Sequence, residues 1–319
     1  MRLLAGDIGG THTRLALARL DGARVEIEKV ERVLNAGLAG MEVLLADFLA
    51  QCGPVDAGCL AVAGPTDGHS AQFTNLSWRI DAASLSARFG APFRLVNDFA
   101  AVGWGLNTLK EHDVSILQTG SERLAAPRVA LGAGTGLGVS ICVAQAGVRR
   151  PLDSEGGHIG FAPTDAEQDR LLVWLRGEHG RVSVERLLSG PGLIDLYRFC
   201  LDEAGRPPVN DPADPAAASA ISAAGLAASD AEAVRALRLF ARVYGQVAGD
   251  LALLARAEGG VFLAGGIAPQ LLELLGAGDF IAGFRAKGRF SEWMESVPVK
   301  VILDPDIGLK GAALAATQR

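Results

Sequence analysis

The segment GDIGGTHTR at residues 6–14 combines residue types that are suited to binding phosphate. Its glycines carry no side chains, so backbone N–H groups in a turn there can approach phosphate oxygens closely. Asp7 supplies a carboxylate that can hold Mg²⁺ through water. Thr11 and Arg14 add a hydroxyl and a guanidinium that can donate hydrogen bonds to phosphate. The alternative interpretation is an ordinary hairpin with a glycine turn between two apolar strands.

The chain lacks the phosphate loops of two other nucleotide-binding classes. No GxxxxGK[ST] sequence occurs anywhere, which excludes a Walker loop. Residues 6–14 do not open a helix after a strand with GxGxxG spacing, which disfavours a dinucleotide-binding fold. The segment therefore predicts a phosphate-binding hairpin of another kind.

A second glycine-rich segment, GAGTGLG at residues 132–138, repeats the pattern about 126 residues further along the chain. It also lies between apolar strands, and Thr135 is placed to clasp nucleotide phosphates. A third segment, LAGGI at 263–267, could set Gly265 and Gly266 against an adenine face. Each of these two segments is also what an ordinary turn looks like. Two similar halves, each with a glycine-rich hairpin, predict a duplicated α/β fold with a cleft.

A carboxylate at the end of an apolar strand, Asp98 in FRLVND (93–98), is a candidate general base. A hydroxyl is a poor nucleophile at neutral pH, and a positioned base typically contributes about 10²–10⁴-fold to the rate. The alternative role for Asp98 is the N-cap of the helix predicted after it. The pair Asn97-Asp98 allows the two roles to be divided between neighbours.

These motifs, taken in their order, resemble those of the hexokinase, actin and heat-shock-70 ATPase superfamily. The resemblance includes NDFAA (97–101) and GLKGAALAA (308–316) as connecting segments. Three further segments narrow it to the bacterial glucokinase family: EGGHIGFAP (155–163), RVSVERLLSGPGL (181–193) and KGRF (287–290). The resemblance extends from residue 6 to about residue 316.

The resemblance implies an α/β, two-domain, ribonuclease-H-like (actin-like ATPase) fold with a central cleft. A small domain would comprise residues 1–108 plus 301–319, and a large domain residues 109–300. The implied activity is transfer of phosphate from ATP, with Mg²⁺, to O6 of D-glucose. The implied ATP-binding positions are Gly6, Asp7, Ile8, Gly9, Gly10, Thr11, Gly134, Thr135, Gly265 and Gly266.

The resemblance also implies the sugar ligands Asn97, Asp98, Glu155, His158 and Glu185. Carboxylates suit a ring of hydroxyls, because a hydrogen bond to a charged group contributes about 1.5–3 kcal/mol. Glycines 156 and 157 would let the backbone come close to the sugar. The alternative interpretations are a turn histidine at 158 and, at 185, a charge in the first turn of a helix.

Other segments predict the elements that position these residues. Apolar runs indicate strands at 58–64, 261–267 and 299–305, and small residues indicate a last helix at 307–316. Ser229 and Glu232 have the spacing of a capping box, and the helix after them would close at Gly259-Gly260. Residues 207–228 show little pattern.

Composition excludes several partners. The 319 residues carry a net charge of −6 without a basic block, so we expect no nucleic acid. The most apolar stretch, 247–267, contains three charged residues, so we expect no membrane span, and we expect no signal peptide. Four scattered cysteines are typical of reduced thiols in the cytoplasm. We expect His69, His112 and His179 to be on the surface, and the chain could form a homodimer.

Three alternatives to this interpretation remain. A repressor/open-reading-frame/kinase family enzyme would act on another hexose or an N-acetylhexosamine, but its CxCGxxGC cluster does not follow His158. A sugar-sensing transcription repressor would need a helix-turn-helix before the phosphate motif, which begins at residue 6. An actin-like or chaperone ATPase would hydrolyse ATP without sugar, and EGGH and Asn97-Asp98 argue against it.

Overall fold

The computed structural model describes residues 1–22, 24–38, 40–64, 66–72, 78–145, 148–207 and 214–318. Its strands are β1 (Arg2–Ile8), β2 (His12–Asp21), β3 (Arg24–Leu34), β4 (Ala57–Val62), β5 (Ser70–Gln72), β6 (Arg79–Asp81), β7 (Phe93–Asn97), β8 (Val114–Gln118), β9 (Arg128–Ala133), β10 (Leu137–Gln145), β11 (Val148–Leu152), β12 (Val261–Ala264) and β13 (Val299–Ile302).

The α-helices are α1 (Met41–Cys52), α2 (Ala82–Phe89), α3 (Asp98–Gly105), α4 (Ala166–His179), α5 (Gly190–Glu203), α6 (Ala217–Leu226), α7 (Ala231–Ala255), α8 (Ile267–Gln270), α9 (Leu272–Gly276), α10 (Asp279–Arg285), α11 (Ser291–Glu295) and α12 (Ile307–Ala316). Short 3₁₀ turns occur at Glu111–Asp113, Gly156–His158, Val184–Arg186 and Gly288–Phe290.

The chain divides into two compact units. Unit 1 comprises Met1–Asp113, Ser140–Asp153 and Asp304–Arg319, and unit 2 comprises Val114–Val139 and Ser154–Leu303. The domain limits that the resemblance implies, 1–108 plus 301–319 and 109–300, stay a prediction.

Unit 1 contains a sheet with the strand order β3-β2-β1-β4-β7. The first three strands form antiparallel hairpins, whereas β1, β4 and β7 run parallel. Ile8 is in register with Val62, and Val62 is in register with Asn97. The carboxyl ends of these three parallel strands therefore meet at one edge of the sheet.

Helices cover both faces of this sheet because successive side chains of β1 alternate between the faces. Leu4 and Ile8 pack with residues of α1 and α2 on one face. Leu3 and Ala5 pack with α3 and α12 on the other. The small residues of α12 are needed there, because a Cβ on Gly311 would lie 1.7 Å from the Ala101 carbonyl oxygen of α3.

The second sheet has the order β11-β10-β9-β12-β13-β8. β9, β12 and β13 run parallel, and β8 adds an antiparallel strand at the edge. Apart from β8, this order repeats that of the first sheet, with β9 in the place of β1. The predicted duplication is confirmed, as is the α/β, ribonuclease-H-like class.

The long helix α7 organises the interior of unit 2, but both of its predicted ends are wrong. Its N-cap is Asp230, whose carboxylate accepts hydrogen bonds from the backbone N–H groups of Glu232 at 2.8 Å and Ala233 at 3.2 Å. The Ser229 hydroxyl instead donates to the Ala224 carbonyl, at the end of α6. The helix ends at Ala255, where Arg256 adopts a left-handed conformation with φ of 49°, and not at Gly259-Gly260.

Three further sequence predictions can be compared with the structure. The stretch 207–228, which shows little pattern, contains helix α6, while its residues 208–213 lie outside the described ranges. All four cysteines are free thiols, and in the part of the chain that the structure describes no helix is long and apolar enough to cross a membrane. His69 and His112 are exposed as expected, but His179 is half-buried, and its Nε2 lies 2.7 Å from an Asp195 carboxylate oxygen.

Candidate functional site

The first glycine-rich motif forms the turn between β1 and β2 in unit 1. The backbone N–H of Gly9 donates to the His12 carbonyl at 3.0 Å, which closes the turn. Gly10 and Thr11 at its tip are exposed to solvent. The closed turn therefore leaves the backbone at Gly10 and Thr11 on the protein surface.

Asn35 supports this turn through three hydrogen bonds, a role that the sequence patterns do not predict. Its Nδ2 donates to the Gly9 carbonyl at 2.8 Å, and its Oδ1 accepts the Thr13 hydroxyl at 2.7 Å. Its backbone N–H donates to the Thr11 carbonyl at 2.9 Å. Asn35 is 3% exposed, so these bonds are shielded from water. In the sequence, only its place directly after the last residue of β3 marks it.

Two of the implied ATP-binding positions, Gly6 and Ile8, lie inside β1 and are buried. The side chain of Ile8 belongs to the core against α1 and α2. A Cβ on Gly6 would lie 2.5 Å from a methyl carbon of Leu60 on the neighbouring β4. Packing within the sheet, rather than an approach to phosphate, accounts for the glycine at position 6.

Asp7 and Arg14 face each other across the β1-β2 hairpin. Burial raises the pKa of Asp7 above its ordinary value, and the nearby Arg14 guanidinium opposes that rise. The guanidinium is otherwise engaged, because it donates to the Asp306 carboxylate and, at 2.9 Å, to the Pro305 carbonyl. These two hydrogen bonds tie β2 to the residues before α12, and the role of Arg14 as a phosphate donor stays a prediction.

Asn97 and Asp98 lie at the same sheet edge as the phosphate turn, at the junction of β7 and α3. Asn97 is the N-cap of α3, since its Oδ1 accepts from the backbone N–H groups of Phe99 and Ala100. Its Nδ2 donates to the Gly64 carbonyl at 3.2 Å. Asp98 is the first residue of the helix, and its Oδ1 accepts from the Phe99 N–H at 2.8 Å. Asn97 thus supplies the cap, and the catalytic role of Asp98 stays a prediction.

Unit 2 brings Glu155, His158 and Glu185 into one cluster. The imidazole lies between the two carboxylates: Nε2 is 3.7 Å from Glu155 Oε2, and Nδ1 is 3.9 Å from Glu185 Oε1. These separations exceed a direct hydrogen bond, so the three side chains keep donors and acceptors for a ligand. Glu155 and His158 have side chains that are 60% and 57% exposed, whereas Glu185 is 30% exposed.

Backbone pairing joins the two segments that carry this cluster. Gly160 and Ser183 form an antiparallel bridge, and the N–H of Val184 donates to the Ile159 carbonyl at 2.9 Å. Arg181 adds a guanidinium hydrogen bond to the His158 carbonyl at 2.8 Å. The pairing holds the 3₁₀ turn that bears His158 against the one that bears Glu185.

Close packing within unit 2, rather than an approach of the backbone to a sugar, explains the two glycines of EGGH. A Cβ on Gly157 would lie 2.0 Å from the Leu137 carbonyl oxygen, and one on Gly156 would lie 2.9 Å from the Val139 Cβ. Both contacts are with the first residues of β10. The glycines therefore let the EGGH turn lie directly on the strand that follows the second glycine-rich hairpin.

The other two glycine-rich segments of unit 2 follow neighbouring parallel strands. Leu131 of β9 is in register with Leu263 of β12, so the turns after these strands lie at one edge of the sheet. Thr135 is exposed and Gly134 half-buried in the first turn. In the second, Gly265 and Gly266 are exposed, and Gly265 has a φ of 79° that favours glycine. The sheet thus brings together the two glycine-rich turns of this unit, whose implied contacts with nucleotide stay a prediction.

The implied Mg²⁺ can be tested against the donors present. Within the described ranges, no group of three or more His, Cys, Asp or Glu side chains could hold a metal ion. Asp7 is a single carboxylate, and its burial favours a cation beside it. That arrangement fits Mg²⁺, which is commonly bound through one or two carboxylates, waters and the phosphates of a substrate.

Comparison with known proteins shows the family of the chain. A sequence-family model for glucokinase matches residues 4–319. The chain is 37% identical over 343 residues to a protein named glucokinase from Trichormus variabilis, with 99% of each chain covered. It resembles the crystal structure of glucokinase from an Antarctic psychrotroph at a TM-score of 0.89 and 31% identity, covering 99% of this chain and 98% of that one.

A more distant structure shares the fold. It is a ROK family glucokinase from Streptomyces griseus in complex with glucose and AMPPNP, with a TM-score of 0.62, 22% identity and 100% of both chains covered. The family match and the 37% identity both extend over nearly the whole length of the chain. The chain belongs to the glucokinase family.

Proposed function

We propose that this chain transfers the γ-phosphate of ATP to O6 of D-glucose, giving glucose 6-phosphate and ADP. The observation that carries the proposal is the shared register of Ile8, Val62 and Asn97 in unit 1. It puts Asp98 at the same edge as the phosphate turn, two strand spacings or about 10 Å away across the sheet. A base and a phosphate-binding turn at that separation leave room for a hydroxyl and the phosphoryl group.

In this proposal Asp98 is the catalytic base and takes the proton of the O6 hydroxyl as it attacks phosphorus. Capping by Asn97 fixes the start of α3, which orients the Asp98 carboxylate without depending on it for the cap. The Asn97 Nδ2 has a second N–H that can donate to a sugar hydroxyl. The two residues would therefore bind the sugar together while only one of them moves a proton.

The remaining sugar ligands are Glu155, His158 and Glu185. Their loose mutual spacing supports this role, because each keeps a polar atom that can bind a hydroxyl. A carboxylate can accept from two hydroxyls, and the imidazole can donate to or accept from another. The glucose in the Streptomyces griseus structure is consistent with such a site in this fold.

ATP would be bound by the three glycine-rich segments. Gly9, Gly10 and Thr11 would meet phosphate oxygens through the turn after β1, and Gly134 and Thr135 through the turn after β9. The exposed Gly265-Gly266 turn would lie against the adenine or its sugar. Support for ATP comes from these exposed turns and from the AMPPNP bound to a protein of the same fold.

Asp7 would hold Mg²⁺ through water. Bound there, the ion would supply positive charge that offsets the negative charge developing on the phosphoryl group during transfer. The Arg14 guanidinium lies across the hairpin from Asp7 and favours the charged form of its carboxyl group. Arg14 would thereby help Asp7 to remain a carboxylate that can bind the ion.

We also propose a cytoplasmic enzyme that supplies glucose 6-phosphate to glycolysis, without nucleic acid or membrane as partners. A net charge of −6 with no basic block and four free thiols support this setting. A homodimer is left open.

The test is ADP release measured with and without a panel of hexoses and N-acetylhexosamines. Glucose should stimulate ATP turnover strongly, and glucose 6-phosphate should form in equal amount. Stimulation by another hexose or an N-acetylhexosamine but not by glucose would favour the repressor/open-reading-frame/kinase type of substrate. Fast turnover without any sugar would favour a plain ATPase.

A further inference from the structure

We propose that Glu185 couples the sugar cluster to the phosphate hairpin of unit 2, so that glucose and nucleotide each strengthen binding of the other. The proposal rests on the proposed function, since it takes the ligands of the two sites from it. It adds a positioning role: one carboxylate oxygen of Glu185 binds sugar, and the other holds the turn that binds nucleotide phosphate.

The two oxygens of Glu185 face different partners. Oε2 accepts a hydrogen bond from the backbone N–H of Leu137 at 2.9 Å. Leu137 is the first residue of β10 and ends the turn that contains Gly134 and Thr135. Oε1 lies on the side of His158, 3.9 Å from Nδ1, without a direct hydrogen bond. One oxygen is therefore committed to the hairpin, and the other can accept a sugar hydroxyl.

The segment that carries Glu185 holds the same hairpin at a second point. The Ser189 hydroxyl donates to the Glu185 carbonyl at 2.8 Å, which ties the start of α5 to the 3₁₀ turn. The N–H of Gly190 then donates to the Gly134 carbonyl at 2.8 Å. Residues 185–190 thus bind both the beginning and the end of the turn. A shift of Glu185 should therefore move the backbone of the turn.

This geometry makes the coupling reciprocal. A hydroxyl bound to Oε1 restricts the rotation of the carboxylate and so strengthens the bond from Oε2 to Leu137. A phosphate bound at the turn orders the Leu137 N–H and so restricts the same carboxylate. By linkage, each ligand must change the affinity of the other by the same factor. Factors of about 5–150 are typical of such coupling.

Gly136 offers a way to disturb Glu185 from the nucleotide side. A Cβ at this position would lie 2.6 Å from Glu185 Oε2, so an alanine must displace the carboxylate. The backbone at Gly136 is not left-handed, so alanine itself can be accommodated. A Cβ on Gly134, two residues away in the same turn, would meet nothing within 4 Å. Gly136→Ala therefore disturbs Glu185, whereas Gly134→Ala changes a glycine of the same turn without touching Glu185. Comparison of the two variants shows which effects arise from the contact with Glu185.

The experiment is calorimetric titration of the whole protein with glucose and with AMPPNP and Mg²⁺, each alone and in the presence of the other. Wild type should show mutual strengthening of at least about fivefold. Gly136→Ala should weaken glucose binding without nucleotide by at least about tenfold and abolish the mutual strengthening. Gly134→Ala should leave glucose binding without nucleotide within about twofold of wild type.

Substitutions of Glu185 separate its two oxygens and do not depend on Gly136→Ala folding. Glu185→Ala should weaken glucose alone and AMPPNP alone. Glu185→Gln keeps an amide oxygen that can accept from Leu137, so it should weaken glucose but restore AMPPNP affinity to within about threefold of wild type. Circular dichroism and melting curves confirm that each variant is folded.

The proposal is overturned if Gly136→Ala, when folded, keeps wild-type glucose affinity and the full mutual strengthening, or if Glu185→Ala leaves AMPPNP binding unchanged. It is also overturned if wild type binds both ligands independently. A wild-type protein that phosphorylates glucose and gives these results keeps the proposed function and loses only the coupling. A wild-type protein that neither binds nor phosphorylates glucose loses both.

Discussion

The Asn97 side chain caps helix α3 and thereby makes Asp98 the first residue of that helix. Two backbone N–H groups donate to the Asn97 amide oxygen, at 2.9 Å from Phe99 and 3.2 Å from Ala100. Because the cap is supplied by its neighbour, the carboxylate of Asp98 can be changed without removing the main support of the helix start. This permits a clean test of its chemistry.

Asp98→Asn should lower kcat by at least about 10² while glucose still binds. Asparagine keeps the shape and an oxygen that can accept from the Phe99 N–H, but it cannot take a proton from the sugar. The measurement is kcat at saturating ATP and glucose, with glucose affinity measured separately by calorimetry. A kcat within tenfold of wild type would show that Asp98 is not the base.

Glu155→Ala should weaken glucose binding by about 2–3 kcal/mol, because sugar hydroxyls lose a charged acceptor. The side chain is 60% exposed and its contact with His158 is loose, so the melting temperature should hardly change. Binding of ATP without sugar should also be unchanged. The matched control is Asp153→Ala, which removes an exposed carboxylate two residues earlier and should leave glucose affinity as it is. Equal losses for glucose and ATP would place Glu155 elsewhere.

Asp7→Asn should stabilise the free protein increasingly as pH rises from acid to neutral. Burial raises the pKa of Asp7 in the folded state above its ordinary value of 3.8. Between those two pKa values the folded state holds a proton that the unfolded state has lost, so wild-type stability falls as pH rises through that window. Asparagine carries no such proton.

Urea unfolding of both proteins from pH 4 to pH 7.5, without nucleotide, checks this prediction about Asp7. The difference in the free energy of unfolding should grow in favour of Asp7→Asn and become constant above the folded pKa. A difference that stays flat, or that favours wild type as pH rises, would mean that Asp7 is stabilised in its charged form.

Gly157→Ala should destabilise unit 2 by about 1–3 kcal/mol or more, since its Cβ would lie 2.0 Å from the Leu137 carbonyl oxygen. Gly160→Ala is the control in the same segment, because a Cβ there would meet nothing within 4 Å, and its effect should stay within about 0.5 kcal/mol. Thermal and urea unfolding measure both. Equal stability of the two variants would mean that the EGGH turn does not need to lie so close to β10.

Sequence patterns predicted those parts of the fold that depend on neighbouring residues. The strand–turn–strand segments at 6–14 and 132–138 each correspond to a hairpin, and the last helix begins at Ile307 as predicted. The division of roles between Asn97 and Asp98 also follows from local chemistry, because a cap bonds to N–H groups two or three residues ahead.

Some local predictions were wrong because neighbouring groups compete. Ser229 and Asp230 can both cap α7, and the carboxylate at 230 takes the N–H groups while the hydroxyl turns back to α6. Arg256 adopts a left-handed conformation that is uncommon for residues other than glycine, so the end of α7 could not be located from Gly259-Gly260.

The sequence by itself determined the motif residues and their order, and these were enough to identify the family. It also determined the duplication, which implied the strand directions. Only the tertiary structure decided which of these residues serve packing and which remain exposed to a ligand. Arg14 donates a hydrogen bond to Asp306, although 292 positions separate them in the chain. Gly157 must be a glycine because the Leu137 carbonyl oxygen occupies the space that a Cβ would need. Such contacts depend on how strands and turns pack in space, and spacing along the chain carries no record of a partner hundreds of residues away.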